Sequence, residues 1–179
     1  MSSGSDDKSA RLPAALRAAL DLEQRGHDYY RETASRAENP LTLTVFSGLA
    51  DEELQHMKRI SELYEHGGSA PMTSSIPGGS PESAVKRVFE RFAEQERTAW
   101  ELDNESAYEY AMELERQSYA LYDRLANESE NSAEAEFFRN LAGQESQHLT
   151  ALENVLNYLR HTGDWFAAEE SRVWNWMNM

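Results

Sequence analysis

Two short runs in this chain can each hold a cation from one face of a helix. Glu53-x-x-His56 and Glu145-x-x-His148 set a carboxylate and an imidazole three residues apart, a spacing that puts both side chains on the same side of an α-helix within reach of one ion. Each pair sits in a longer match, Leu49-Ala50-x-x-Glu53-x-Gln55-His56 against Leu141-Ala142-x-x-Glu145-x-Gln147-His148, at an offset of 92 residues. Holding that offset, Leu22-Glu23 falls on Leu114-Glu115, Tyr30 on Tyr122, Ala34 on Ala126, Glu38-Asn39 on Glu130-Asn131 and Phe46 on Phe138. Twelve of the thirty-six positions from Asp21 to His56 are identical without a gap. Such a self-match marks a duplicated supersecondary unit, here a helix with one Glu followed by a helix with Glu-x-x-His.

Four Glu turned into a core are costly unless their charge is cancelled, and two divalent cations cancel it. Imidazole beside carboxylate favours iron or manganese over magnesium or calcium, which prefer oxygen alone. The expected site is dinuclear, with Glu23, Glu53, His56, Glu115, Glu145 and His148 as ligands and some carboxylates bridging. Tyr30 and Tyr122 follow Glu23 and Glu115 by seven residues, two helical turns. There a hydroxyl can steady a metal-bound carboxylate or simply pack in the core, and both readings stay open. A single Glu-x-x-His would be ordinary surface charge in so acidic a chain; two in register are not. His27, His66 and His161 have no repeat-matched His and read as surface or helix-end residues, although His27 lies one turn from Glu23. Glu52 and Glu113 read as solvated, since their repeat partners are Gln144 and Asp21 and their helical phase points elsewhere.

Four helices must position these residues. The first is expected over residues 13–37, with Leu16, Leu20, Leu22, Tyr30 and Ala34 at helical spacing on its buried side. Asn39-Pro40 supplies an N-cap and a first-turn proline for the second, which Gly67-Gly68 stops. Residues 67–81 are Gly, Ser, Pro and Thr, too long for a tight turn and long enough to cross the length of a bundle. They open a crossover over residues 67–103 that includes an additional amphipathic helix with Val85, Val88, Phe89 and Phe92 on its buried side. The third helix spans residues 104–128, with Ala107, Tyr108, Ala111, Leu114, Tyr119, Tyr122 and Leu125 facing inward. Asn131 with Glu134 reads as a capping box for the fourth, which runs through Phe137, Phe138, Leu141, Leu149, Leu152 and Leu156 to about residue 160. Residues 1–10 read as a flexible tail, residues 11–162 as one domain, and residues 163–179 as a tail rich in Trp.

The bulk properties narrow the partners. A net charge of −15, from 32 acidic against 17 basic residues, disfavours nucleic acid and anionic membrane surfaces. No cysteine is present, so thiolate zinc sites, iron–sulfur clusters and Cys nucleophiles are excluded together. No apolar run approaches the length of a membrane span, and a cytoplasmic protein is expected. Trp165, Phe166, Trp174, Trp176 and Met177 are too apolar to leave in water. With the crossover helix that carries Phe89 and Phe92 they are expected in the interface of a two-fold homodimer, the alternative being that the tail folds back over its own bundle.

With Glu23, Glu53-x-x-His56, Glu115 and Glu145-x-x-His148, the flanking Leu-Glu-x6-Tyr, and Leu-Ala-x-x-Glu-x-Gln-His, the chain resembles the rubrerythrin branch of the ferritin-like superfamily over residues 12–160. The resemblance implies an all-α, ferritin-like four-helix bundle built from a duplicated helix pair. It also implies two iron ions, with manganese as the other option, reacting with dioxygen or hydrogen peroxide as a ferroxidase or a peroxidase. Two departures stand out. Rubrerythrins proper carry a rubredoxin-like iron centre on four Cys, so a peroxidase here would need a separate electron donor. The family's peroxidases also commonly add a Glu one turn from the third-helix ligand, where this chain has Met112 and Ser118. From another class comes a redox-silent, metal-stabilised helical module for binding or assembly.

Overall fold

The computed structural model describes residues 14–65, 86 and 104–160. They form four helices: α1 (Ala14–Arg36), α2 (Pro40–Glu65), α3 (Glu105–Glu128) and α4 (Ser132–Arg160). The crossover with its additional helix, His66, His161 and both tails lie outside the described residues, and so does the apolar tail on which the dimer expectation rests. Among the described residues, no helix is long and apolar enough to cross a membrane.

Three asparagines start three of the helices. Asn39 Oδ1 accepts from Thr42 N at 2.7 Å, Asn104 Oδ1 from Ala107 N at 3.2 Å, and Asn131 Oδ1 from Ala133 N at 2.9 Å and Glu134 N at 3.3 Å. Each side chain satisfies amides that the first helical turn leaves without a partner. The capping box expected at Asn131 is only half of one, because the Glu134 carboxylate accepts the Ser129 hydroxyl at 2.9 Å instead.

Turns this short make antiparallel neighbours, so α1 packs along α2 and α3 along α4; α1 then lies against α3 and α2 against α4. The core comes in two separate apolar clusters. One gathers Tyr30 and Ala34 from α1, Leu41 to Ala50 positions of α2, Ala107 to Leu114 positions of α3, and Leu152 to Leu159 positions of α4. The other gathers Leu16 and Ala19, Ile60 and Leu63, Tyr122 to Ala126 positions, and Phe137 to Ala142 positions. On every helix the inward-facing Glu and His lie in sequence between its contributions to the two clusters. The bundle is therefore apolar at both ends and ionisable in the middle. Tyr119, expected inside, is 45% exposed: Ser118 and Tyr122 face the core, and a residue directly after Ser118 is turned about 100° away.

Candidate metal centre

All six expected ligands meet in that middle layer. Glu23, Glu53, His56, Glu115, Glu145 and His148 are each at most 3% exposed, a degree of burial that carboxylates reach only when paired or neutralised. Their ligand atoms form two overlapping groups, Glu23, Glu53, His56 and Glu145, and Glu53, Glu115, Glu145 and His148, each with its atoms within 4.8 Å of one another. Glu53 and Glu145 belong to both. Those two come from the second helix of each hairpin, α2 and α4, while Glu23 and Glu115, from the first helices, each belong to one group.

The histidine rings lie nearly parallel, 5.5 Å apart at 12°, and both turn Nδ1 toward the carboxylates. His56 Nδ1 is 3.0 Å from Glu145, 3.2 Å from Glu23 and 3.5 Å from Glu53. His148 Nδ1 is 3.3 Å from Glu115, 3.6 Å from Glu145 and 3.7 Å from Glu53. Several of these atoms are buried without a hydrogen bond of good geometry: Glu53 Oε2, Glu115 Oε2, both Glu145 oxygens and His148 Nδ1. Buried oxygens and a ring nitrogen converging without well-formed hydrogen bonds are what a pair of cations would satisfy. The donor set fits two metal ions held by carboxylate and imidazole.

The tyrosines bridge the repeat crosswise. Tyr30, which follows Glu23, donates to Glu115 Oε1 at 2.6 Å, and Tyr122, which follows Glu115, donates to Glu23. Burial, then the charge of the carboxylate each one meets, pushes both phenols well above their usual pKa, so they stay protonated donors. A hydrogen bond to a buried carboxylate contributes about 1.5–3 kcal/mol. Tyr30→Phe and Tyr122→Phe are each expected to lower the unfolding free energy of the metal-loaded protein by about that much, read from urea melts.

Five of these central groups do not share one electrostatic fate. Burial, then Glu23 and Glu145, pushes Glu53 well up. Burial also lifts Glu115 to about 8, against the opposing charge of His148. Burial works to raise Glu145 as well, but the two histidines outweigh it and hold that carboxyl well below its usual range. For His56 and His148 burial works downward, and the facing carboxylates, led by Glu145 and Glu115 respectively, outweigh it and hold both rings well above theirs. Protons on these rings and carboxyls thus do in the ion-free protein what cations would do.

Glu52 overturns the sequence expectation. It is not solvated but 6% exposed, and its Oε2 accepts from His148 Nε2 at 2.9 Å while Oε1 has no partner. Its repeat partner Gln144 does the same for the other ring: Gln144 Oε1 lies 3.2 Å from His56 Nε2. The clue was available, since both residues precede the Glu of Glu-x-x-His and both can accept a hydrogen bond. A phase argument missed it because α2 is flanked by both α1 and α4, which widens its buried arc. Glu113 is exposed and accepts from Gln117, as expected. His27 is half-buried, its Nδ1–H donating to Ala50 O at 2.8 Å, which joins α1 to α2 and leaves it out of the centre. Met112 and Ser118, beside Glu115, are both buried. Glu52, His56 and His148 also form a third group of close ligand atoms. A ring that binds an ion through Nδ1 keeps its proton on Nε2, so with ions on the Nδ1 side this group would be a hydrogen-bonding layer behind the rings.

A family model described as Rubrerythrin matches residues 14–156. No curated protein and no solved structure gives a match.

Proposed function

The chain belongs to the rubrerythrin family, and from that premise we propose that it is a non-haem di-iron protein that oxidises ferrous iron with dioxygen or hydrogen peroxide. The observation that carries this reading is the pair of buried donor groups sharing Glu53 and Glu145, with carboxylate oxygens that make no hydrogen bond of good geometry. Glu23, Glu53, His56 and Glu145 would hold one ion, and Glu53, Glu115, Glu145 and His148 the other. A bound iron pair supplies electron transfer to the oxidant, and manganese suits the same donors.

The chain's own residues supply the rest. Tyr30 and Tyr122 fix the outer carboxylates by donating to one oxygen of each, which leaves the other oxygen of Glu115 and of Glu23 turned toward the histidines. Glu52 and Gln144 hold the two Nε2 protons and so present Nδ1 as a lone pair. The two apolar clusters close the centre above and below and keep bulk water from the ligands. These 179 residues contain no cysteine, so electrons for sustained peroxide reduction would come from a redox centre outside them.

Anaerobic addition of two ferrous equivalents, followed by a pulse of oxygen or of peroxide, tests the proposal. Ferric absorbance in the near ultraviolet is expected to rise within the pulse and to saturate at two irons per chain. A centre that binds iron but stays spectroscopically silent with both oxidants would defeat it. The ratio of the two rates decides between ferroxidase and peroxidase.

A further inference from the structure

The repeat makes the two ion positions formally equivalent, and the residues behind the histidines make them different. Behind His148 stands a carboxylate, Glu52, 2.9 Å from Nε2 and buried. Behind His56 stands a neutral amide. The orientation of that amide is fixed by its neighbours, because Gln144 Nε2 donates to Asn140 O at 3.1 Å while Arg59 Nη1 donates to Gln144 Oε1, also at 3.1 Å. His56 Nε2 therefore donates to an oxygen already shared with a guanidinium. The position in α4 that matches Arg59 is Ala151, fully buried, so that position supplies no cation behind His148.

A carboxylate that takes the Nε2 proton of an imidazole pushes electron density toward Nδ1 and makes it a better ligand. An amide oxygen polarised by a cation does so much less. The fixed charges act in the same sense, since Glu52 adds a negative charge on one side and Arg59 a positive one on the other. We infer that Glu52, acting through the His148 ring, makes the position of Glu53, Glu115, Glu145 and His148 the tighter of the two, so that the ions enter in a fixed order. Glu52 is on this account a positioning residue that touches no ion. The inference rests on the di-metal reading above.

Titration of metal-free protein with Mn2+ tests it, because manganese reports binding without any oxidation step. Calorimetry is expected to resolve two steps, with the first equivalent giving the six-line spectrum of an isolated Mn2+ and the second converting it to that of a coupled pair. Glu115→Gln is expected to abolish the tighter step, and Glu23→Gln to spare it. Glu52→Gln keeps an acceptor at the same place and removes the charge; it is expected to weaken the tighter step by about tenfold, at the lower end of what outer partners contribute, and to leave the other unmoved. Gln144→Glu is expected to tighten the weaker step alone, and by less, because Arg59 remains beside it. If Glu52→Gln lost its helical circular dichroism, the Gln144→Glu arm would decide alone. Steps that Glu52→Gln leaves in place or shifts equally would overturn the inference while keeping the two-ion site. A third tight Mn2+ would overturn it by showing that the Nε2 side of the rings binds metal. No Mn2+ uptake at all would remove the di-metal reading and the inference with it.

Discussion

Stripped of metal at pH 8, the protein is expected to melt roughly 10–20 °C below its iron- or manganese-loaded form. Two ions, each at about a hundred times its dissociation constant, stabilise the folded state by about 5 kcal/mol together, and a domain of this size gains about 2–4 °C per kcal/mol. The gap is expected to shrink as pH falls toward 5. In the folded, metal-free protein Glu53 and Glu115 keep protons that the unfolded chain releases above about 4.5, with Glu115 holding its own up to about 8. The folded state then binds more protons than the unfolded one, so stability falls as pH rises through that window. His56 and His148, raised above their unfolded value of 6.5, act in the same direction: their contribution is complete below 6.5 and is lost as pH climbs through their folded values. Glu145, held low by the histidines, works the other way; its contribution is present above 4.5 and is lost on further acidification. The metal-free protein should accordingly be most stable near pH 5–6, and metal uptake at neutral pH should release protons. Melting curves at pH 5.5 and 8, with and without Mn2+, check both statements. Equal midpoints at pH 8 would mean that the six residues do not form a metal centre.

The second large effect concerns stoichiometry. Because Glu53 and Glu145 belong to both ligand groups, replacing either by Ala is expected to abolish tight binding of both ions, a loss beyond the roughly 10–100-fold that removing an outer partner causes. Glu23→Ala and Glu115→Ala, whose residues each belong to one group, are expected to leave one ion bound. Metal content after gel filtration, with circular dichroism to verify folding, reads the four variants directly. Loss from Glu53→Ala with retention in Glu145→Ala would show that only half of the repeat holds metal.

Much of this centre was legible in the sequence because periodicity and duplication reinforce one another. Glu23, Glu53 and His56 could each be weighed against an identical partner 92 residues on, and Asn39 and Asn131 marked two helix starts that the structure places at those points. What sequence could not show was the pairing across the bundle. Tyr30 was readable as a neighbour of Glu23 on its own helix, yet its hydroxyl reaches Glu115 on α3, a contact that depends on how the hairpins face each other. Glu52 was discounted because Gln144 broke the identity of the repeat. The property retained there is the capacity to accept a hydrogen bond, which residue identity does not express. Tyr119 erred oppositely, since helical spacing assigns a stripe without its edges.

The crosswise tyrosines also bear on how such a chain could arise. Each hairpin lends its hydroxyl to the carboxylate of the other, so neither half contains a complete centre, and two copies of one half related by a two-fold axis would. In an assembly of identical hairpins, any residue behind one histidine must also stand behind the other. Joining the copies in a single polypeptide lifts that constraint, and only then can Glu52 face one ring while Gln144 with Arg59 faces its twin. In a single chain the two positions can vary separately, where the symmetry of an assembly would tie them together.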